Sequence, residues 1–351
     1  MTRIACFGGK LFQQYRMSAT LQANNDEPYT PGTMLRSDSG QIYKIENILV
    51  DLRKPLQCVY RARFTYLFRM RYPSAFFLLT IEPAESAEGK VYIVKNMVPG
   101  EFEYQLDLQK RLSSCPNVRA VIDTIKEFEL FIFPFLAGDL LQLSLKPLCM
   151  EPNNILLDYD ECDESLMNIK AVQISDLEDT VIVPPGKRLR GPLCGNAIWR
   201  SPESWCRSRQ NQALDVFSFG IVMIYVMVNE MVFRVNDNQL KADDSWHYIH
   251  RRHIFYFADE DSFNGFLQHI GKENIFFESL VALAGTFTPG QLRQSFETWD
   301  YVDPDLRDLV GKMTNLDPSR RITAREALQH RWFSQASYIH MVAELSCTRP
   351  A

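Results

Sequence analysis

Three polar residues stand at the ends of short apolar runs, where a strand would hold them in place: Lys95 closes VYIVK, Asn154 precedes ILLD, and Asp176 follows QIS. A lysine, a side-chain amide and a carboxylate are side chains able to donate, accept or carry charge at a site. Each residue also has an ordinary reading, since lysine is common at strand ends and an aspartate after a strand is often a solvated turn. Thiol-based sites have less support. The eight cysteines (Cys6, Cys58, Cys115, Cys149, Cys162, Cys194, Cys206, Cys347) are scattered, with no C-x-x-C pair. That pattern fits reduced thiols of cytosol or nucleus and excludes a disulfide framework or a zinc site.

Short elements must hold these residues. From Tyr43 to about Phe133 the chain carries β-prone runs, KIENILV, KVYIVK, AVIDTI and ELFIFPF, rich in β-branched and aromatic residues. One helical pattern interrupts them between Gly100 and Cys115, with Phe102, Leu106, Leu108 and Leu112 as its apolar face. Further on, ILLD and QISD are short strands. From Ser204 helical patterns dominate, DPDLRDLVGKMTNL and TAREALQHRWF among them. Thr323 with Glu326 three residues later is a capping box that opens the second of these.

A β-rich first third and a helical remainder predict an α+β, two-lobed fold. The expected organisation is a flexible extension over 1–40, a β-rich lobe over 41–135, a helical lobe over 136–340 and a tail over 341–351. Arg61 to Glu82, crowded with aromatic and basic residues, has no clean period. It fits an extra hairpin, a docking strand or non-native translated sequence equally.

Composition narrows the partners. The chain has 351 residues, 46% of them hydrophobic, enough for a sizeable core. A net charge of -5 with no dominant basic stripe argues against a generic nucleic-acid binder. The longest apolar run, VFSFGIVMIYVMV at Val216–Val228, is thirteen residues, short of the roughly 18–20 of a membrane span. It predicts a buried core helix and no membrane partner. Met1 to Asn25, with Arg3, Lys10 and Arg16 and no acid, reads as a disordered tail more than a transit peptide.

Five motifs then follow in order: EPNNILLD, QISDLED, GNAIWRSPESW, DVFSFGIVMIYVM and LDPSRRITAREALQHRWF. The series resembles the C-terminal lobe of eukaryotic Ser/Thr protein kinases, with H-R-D-L-K-P-x-N, D-F-G, A-P-E, D-x-W-S-x-G and R-x-T-A in that order. It covers roughly Ile42 to Phe333, firmly from Glu151. The resemblance implies a two-lobed kinase fold, ATP and Mg²⁺ as cofactors and a protein partner or substrate. Asn154 and Asp176 fall on the metal-binding positions, Lys95 on the strand lysine that holds the α- and β-phosphates. Glu203 and Arg321 fall on a buried ion pair that staples the activation segment to the lower lobe. Asp215 falls at the start of the central helix, where its carboxylate would accept backbone hydrogens from the catalytic loop.

Other positions depart from the family. Aligned back from EPNN, H-R-D-L-K-P-x-N reads Pro147, Leu148, Cys149, Met150, Glu151, Pro152, Asn153, Asn154. Cys149 replaces the proton-accepting Asp, and no histidine precedes His247 to help the thiol ionise. Glu151 reverses the charge of the loop lysine. The three glycines of the phosphate-binding loop fall on Leu52, Lys54 and Gln57, which implies weak nucleotide binding at best. Glu103 and Asp107 are both candidates for the helix partner of Lys95. Ten residues separate Leu136 from Pro147, where the family places a long buried helix of roughly 20 residues. Between Thr180 and Ser201 there is no Ser, Thr or Tyr, so that loop has no site for a phosphate switch. The sequence favours a pseudokinase acting by interaction. The alternatives are an active Ser/Thr kinase whose full transcript restores the helix and the Asp, and a non-catalytic nucleotide sensor.

Overall fold

A computed structural model describes residues 3–5, 27–53, 56–65, 89–140, 154–161, 167–287 and 293–334. Its first strand, β1 (Arg3–Ala5), pairs antiparallel with Val181–Val183. The chain divides into two compact units, residues 14–177 in one and residues 1–13 with 178–351 in the other.

The unit of residues 14–177 is built on a six-stranded sheet. Its strands are β2 (Met34–Arg36), β3 (Ile42–Arg53), β4 (Leu56–Thr65), β5 (Val91–Asn96), β6 (Asp123–Ile125) and β7 (Leu130–Pro134), in the spatial order β2-β3-β4-β5-β7-β6. All neighbours pair antiparallel. Side chains alternate between faces, so Tyr43, Ile45, Tyr60, Ala62, Val94 and Ile132 pack on one side. On the other, Ile93, Phe131 and Phe133 meet Phe102 and Leu106 of helix α1 (Phe102–Leu112). Gly100, at φ +87°, makes the turn into α1 in a conformation glycine adopts without strain. A second sheet joins β8 (Gly138–Asp139), β9 (Ile155–Glu161) and β10 (Met167–Ile174) in the order β10-β9-β8.

The β9–β10 hairpin, which composition alone assigns to the helical part, groups with the strands. A parallel bridge between Val118 and Ile174 ties it to the chain leaving α1. Of the segment Arg61 to Glu82, residues 61–65 complete β4, and residues 66–82 lie outside the described residues.

The other unit carries β11 (Val181–Val183) and a set of helices: α2 (Pro202–Trp205), α3 (Ala213–Val228), α4 (Asp237–Lys241), α5 (Ser245–Phe257), α6 (Glu260–Ile270), α7 (Phe277–Ala284), α8 (Pro304–Met313) and α9 (Ala324–Leu328). The apolar run expected in the core is α3, burying Leu214, Phe217, Ile221, Ile224 and Tyr225. The capping box at α9 forms in both directions: Thr323 Oγ1 accepts from Glu326 N at 3.2 Å, and Glu326 Oε2 accepts from Thr323 N at 2.8 Å. Asp303 caps α8, accepting from Leu306 N at 2.9 Å.

α3 and α8 pack so closely that Gly220 is required where they cross. A Cβ there would lie 2.9 Å from Thr314 Cγ2 and 3.1 Å from Met313 Cβ. Gly220→Val is therefore expected to lower stability by about 1–3 kcal/mol, the range for overpacking a tight core. A urea-denaturation midpoint equal to that of the unaltered protein would show that this contact yields.

Candidate functional site

Lys95 sits on β5, opposite Val59 of β4 and Phe131 of β7. Being two residues from Ile93, it faces the side of the sheet that α1 covers. Asn154 and Asp176 come from the ends of the β9–β10 hairpin. Register pairs Ile155 with Ile174, and the next pair out is closed by Ser175 N donating to Asn154 O at 2.7 Å. Asp176 then turns at φ +58°, a left-handed conformation that aspartate tolerates better than most residues.

In that position the carboxylate reaches the strand lysine. Lys95 Nζ donates to Asp176 Oδ1 at 2.7 Å. Their side chains are 20% and 46% exposed, so solvent screens the attraction and the pair adds little to stability. Its importance is positional. Residues separated by 81 positions in sequence share one contact, and Asn154 is one backbone hydrogen bond from the neighbour of Asp176.

Among the described residues, no group of three or more His, Cys, Asp or Glu is placed to hold a metal ion. The donor set still fits Mg²⁺ in part, because that ion takes one or two carboxylates and completes its shell with phosphate oxygens and water. Asp176 and the Asn154 amide are the residues that would hold it, and Lys95 the one that would meet a phosphate. Opposite this, Leu52 and Gln57 face each other near the tip of the β3–β4 ribbon, with Leu52 54% exposed. Side chains thus stand where a phosphate-cradling loop would have bare backbone. Lys54, Pro147, Leu148, Cys149 and Glu151 lie outside the described residues.

The acids proposed as helix partners of Lys95 do not fill that role. Asp107 pairs with Arg111 one turn on, at 2.7 Å. Glu103 is exposed and makes no ion pair among the described residues. Four residues apart, the two lie on the solvent side of α1. The buried polar side chains of α1 are Gln105 and Gln109. The available signal was that these two interleave with Phe102, Leu106 and Leu108 on the apolar face.

In the helical unit Glu203 and Arg321 meet across 118 positions: Arg321 Nη1 donates to Glu203 Oε1 at 2.8 Å and Nη2 to Oε2 at 3.2 Å. Both side chains are almost fully buried, at 1% and 0% exposure. The guanidinium's other hydrogens reach Asn315 O at 3.0 Å and Ala213 O at 2.8 Å, and its face lies 5.0 Å from the Phe217 ring. Arg200 is held in a similar way. It donates to Cys194 O and Gly195 O and stacks over Trp205 at 4.6 Å, and burial pulls its pKa down to about 10. Asp215 is half-buried in the first turn of α3, where a carboxylate complements the helix N-terminus.

Two histidines of α5 are fully buried beside this pair. His253 Nε2 lies 3.1 Å from Arg200 O, and His250 Nε2 lies 3.6 Å from Cys206 Sγ. Burial pushes the His250 pKa down from 6.5 to about 3, and His253 moves in the same direction for the same reason. The unfolded chain therefore binds protons that the folded one refuses. This contribution to stability is complete above pH 6.5 and is lost as the pH falls toward 3. At pH 5.5 the loss for His250 alone is on the order of 1 kcal/mol, with His253 acting in the same direction. Melting temperatures should drop between pH 7.5 and 5.5, and the drop should shrink in His250→Phe.

A family model described as the protein kinase domain matches residues 150–333. The chain belongs to the protein kinase family. The match runs from the residue before EPNN to the end of RWF and contains Asn154, Asp176, Glu203, Asp215 and Arg321. A 46-residue stretch, 13% of this chain, is 44% identical to a Caenorhabditis elegans protein named putative ribosomal protein S6 kinase alpha-1, and spans 6% of that protein. The kinase domain here has a β-rich N-terminal region and a helical C-terminal one. No helix among the described residues is long and apolar enough to cross a membrane.

Proposed function

We propose that this protein is a pseudokinase: a kinase-family domain that acts by binding or regulating a protein partner, with weak or no ATP binding. The observation that carries the reading is Cys149 at the position of the proton-accepting aspartate. A thiol accepts a proton poorly unless ionised, and Glu151 next to it adds negative charge where negative charge develops. The Lys95–Asp176 contact supports the same reading, since each is counter-ion to the other without a nucleotide. Glu203, Arg321 and Asp215 then serve the scaffold. Free Cys58, Cys115, Cys194 and Cys206 fit a reducing compartment, cytosol or nucleus. The test is transfer of labelled phosphate from ATP, expected to be absent.

An active Ser/Thr kinase, in a form with more sequence between Leu136 and Pro147, is the second reading. One observation favours it: Phe219, Val226 and Met227 of α3 are 45%, 36% and 52% exposed. An apolar helix face left in water is what loss of a covering helix would produce. Transcripts carrying extra in-frame codons there, with a His-x-Asp, would establish it; uniform transcripts without them would remove it. A non-catalytic nucleotide sensor is the third, favoured by the grouping of Asn154, Asp176 and Lys95. It requires that ATP with Mg²⁺ raise the melting temperature, and that Asp176→Ala abolish the rise.

A further inference from the structure

Folding collects cations that the sequence keeps apart. Lys187, Arg188 and Arg190 lie between β11 and α2, and Arg207 and Arg209 follow α2. Leu189 and Gln210 exchange both backbone hydrogen bonds, at 3.0 and 2.9 Å, and Gly191 N donates to Arg207 O at 3.2 Å. The two stretches therefore run side by side, antiparallel.

Leu189 packs inward toward Cys194 and Leu214. In an extended stretch its neighbours point the opposite way, and Arg188 and Arg190 are both exposed, as are Lys187 and Arg207. Arg209 is fixed by a reciprocal pair: its Nη2 donates to His269 O at 2.8 Å, and His269 Nε2 lies 2.8 Å from Arg209 O. Burial lowers the His269 pKa, with the charges of Arg209 and Arg188 acting in the same direction and the Arg209 backbone and Glu203 opposing it. None of the five cations makes an ion pair among the described residues. The chain as a whole has 43 acidic residues to 38 basic ones, and no acid among the described residues pairs with these five.

We propose that this surface docks an extended acidic segment, a run of Asp and Glu, from a protein partner. Arg188 and Arg190 project from one face of an extended stretch at a spacing of about 6.6–7 Å. Same-face side chains of an extended peptide repeat at that spacing, so alternate carboxylates would meet successive guanidinium groups. Arginine forks also suit carboxylates in a bidentate fashion. A nucleic acid fits less well, because strong phosphate-backbone binders make about 6–10 phosphate contacts, and the rest of this protein is acidic. The surface uses neither nucleotide nor the Lys95–Asp176 pair, so it stands or falls separately from the pseudokinase reading.

Fluorescence anisotropy with a labelled twelve-residue Glu-Asp copolymer peptide tests it on the full chain. Arg188→Glu/Arg190→Glu is compared with Arg320→Glu/Arg325→Glu, which makes the same change in net charge on exposed residues elsewhere. The first variant should bind at least about tenfold more weakly, the equivalent of two exposed charge-assisted contacts. The control should stay within about twofold, since a Debye length of about 8 Å at physiological salt screens distant charges. Unchanged melting temperatures would show that both variants fold. Equal weakening in both variants, or no binding by the unaltered protein, overturns the site. Single-stranded DNA of equal length bound more tightly than the peptide, through the same two arginines, overturns the choice of partner.

Discussion

Glu203→Ala lowers the stability of the helical unit by about 3–5 kcal/mol, the cost of stranding one member of a buried ion pair. The size follows from the geometry. Arg321 is fully enclosed, and its two bonds to Glu203 are the charge-neutralising ones among four donated by the guanidinium. With the carboxylate gone, Asn315 O and Ala213 O still accept, but the positive charge stays buried and unpaired. The expected reading is a fall in melting temperature of roughly 10 °C, given 2–4 °C per kcal/mol for a unit of this size. Glu203→Leu combined with Arg321→Met should recover part of the loss, because apolar replacement of both partners removes the buried charge. A fall of less than about 2 °C in Glu203→Ala would mean that the pair contributes little.

Most of the fold could be read from the sequence where local signals agreed. Runs rich in β-branched and aromatic residues became β3, β5 and β7, the apolar thirteen-residue run became α3, and Thr323 with Glu326 capped α9. Other features depended on distant partners. The β9–β10 hairpin joins the sheet-rich unit through Val118 and through Asn117 and Arg119 backbone bonds to Ile174, none of which has a local signature. At the candidate site, motif order suggests roles for Lys95 and Asp176, yet spacing alone gives no means of seeing them in contact. The α1 assignment went to acids because charge was the criterion. Burial separates the two kinds of residue: Gln105 and Gln109 are buried, while Glu103 and Asp107 are exposed, about 100° round the helix from Phe102 and Leu106 respectively. The basic surface has no local signature because 16 residues separate Arg190 from Arg207, and backbone bonds between Leu189 and Gln210 and from Gly191 to Arg207 bring the two stretches together.

The second large effect concerns chemistry. With Cys149 in place of the general base, the rate of phosphate transfer should fall by about 10²–10⁴. Glu151 compounds this, because its carboxylate repels the charge spreading over the transferred phosphoryl group. On the pseudokinase reading, Leu52 and Gln57 should weaken the hold on the phosphates before any transfer begins. On the same reading, these losses together should put turnover below detection with either Mg²⁺ or Mn²⁺. The deficits lie on separate parts of the site, so Cys149→Asp alone should leave the protein silent.

The most direct measurement is transfer of labelled phosphate from ATP to protein substrates by the purified full chain, run beside Asp176→Ala. A pseudokinase gives the same background signal for both proteins under Mg²⁺ and under Mn²⁺. Labelling of any substrate by the unaltered chain that vanishes in Asp176→Ala would contradict it.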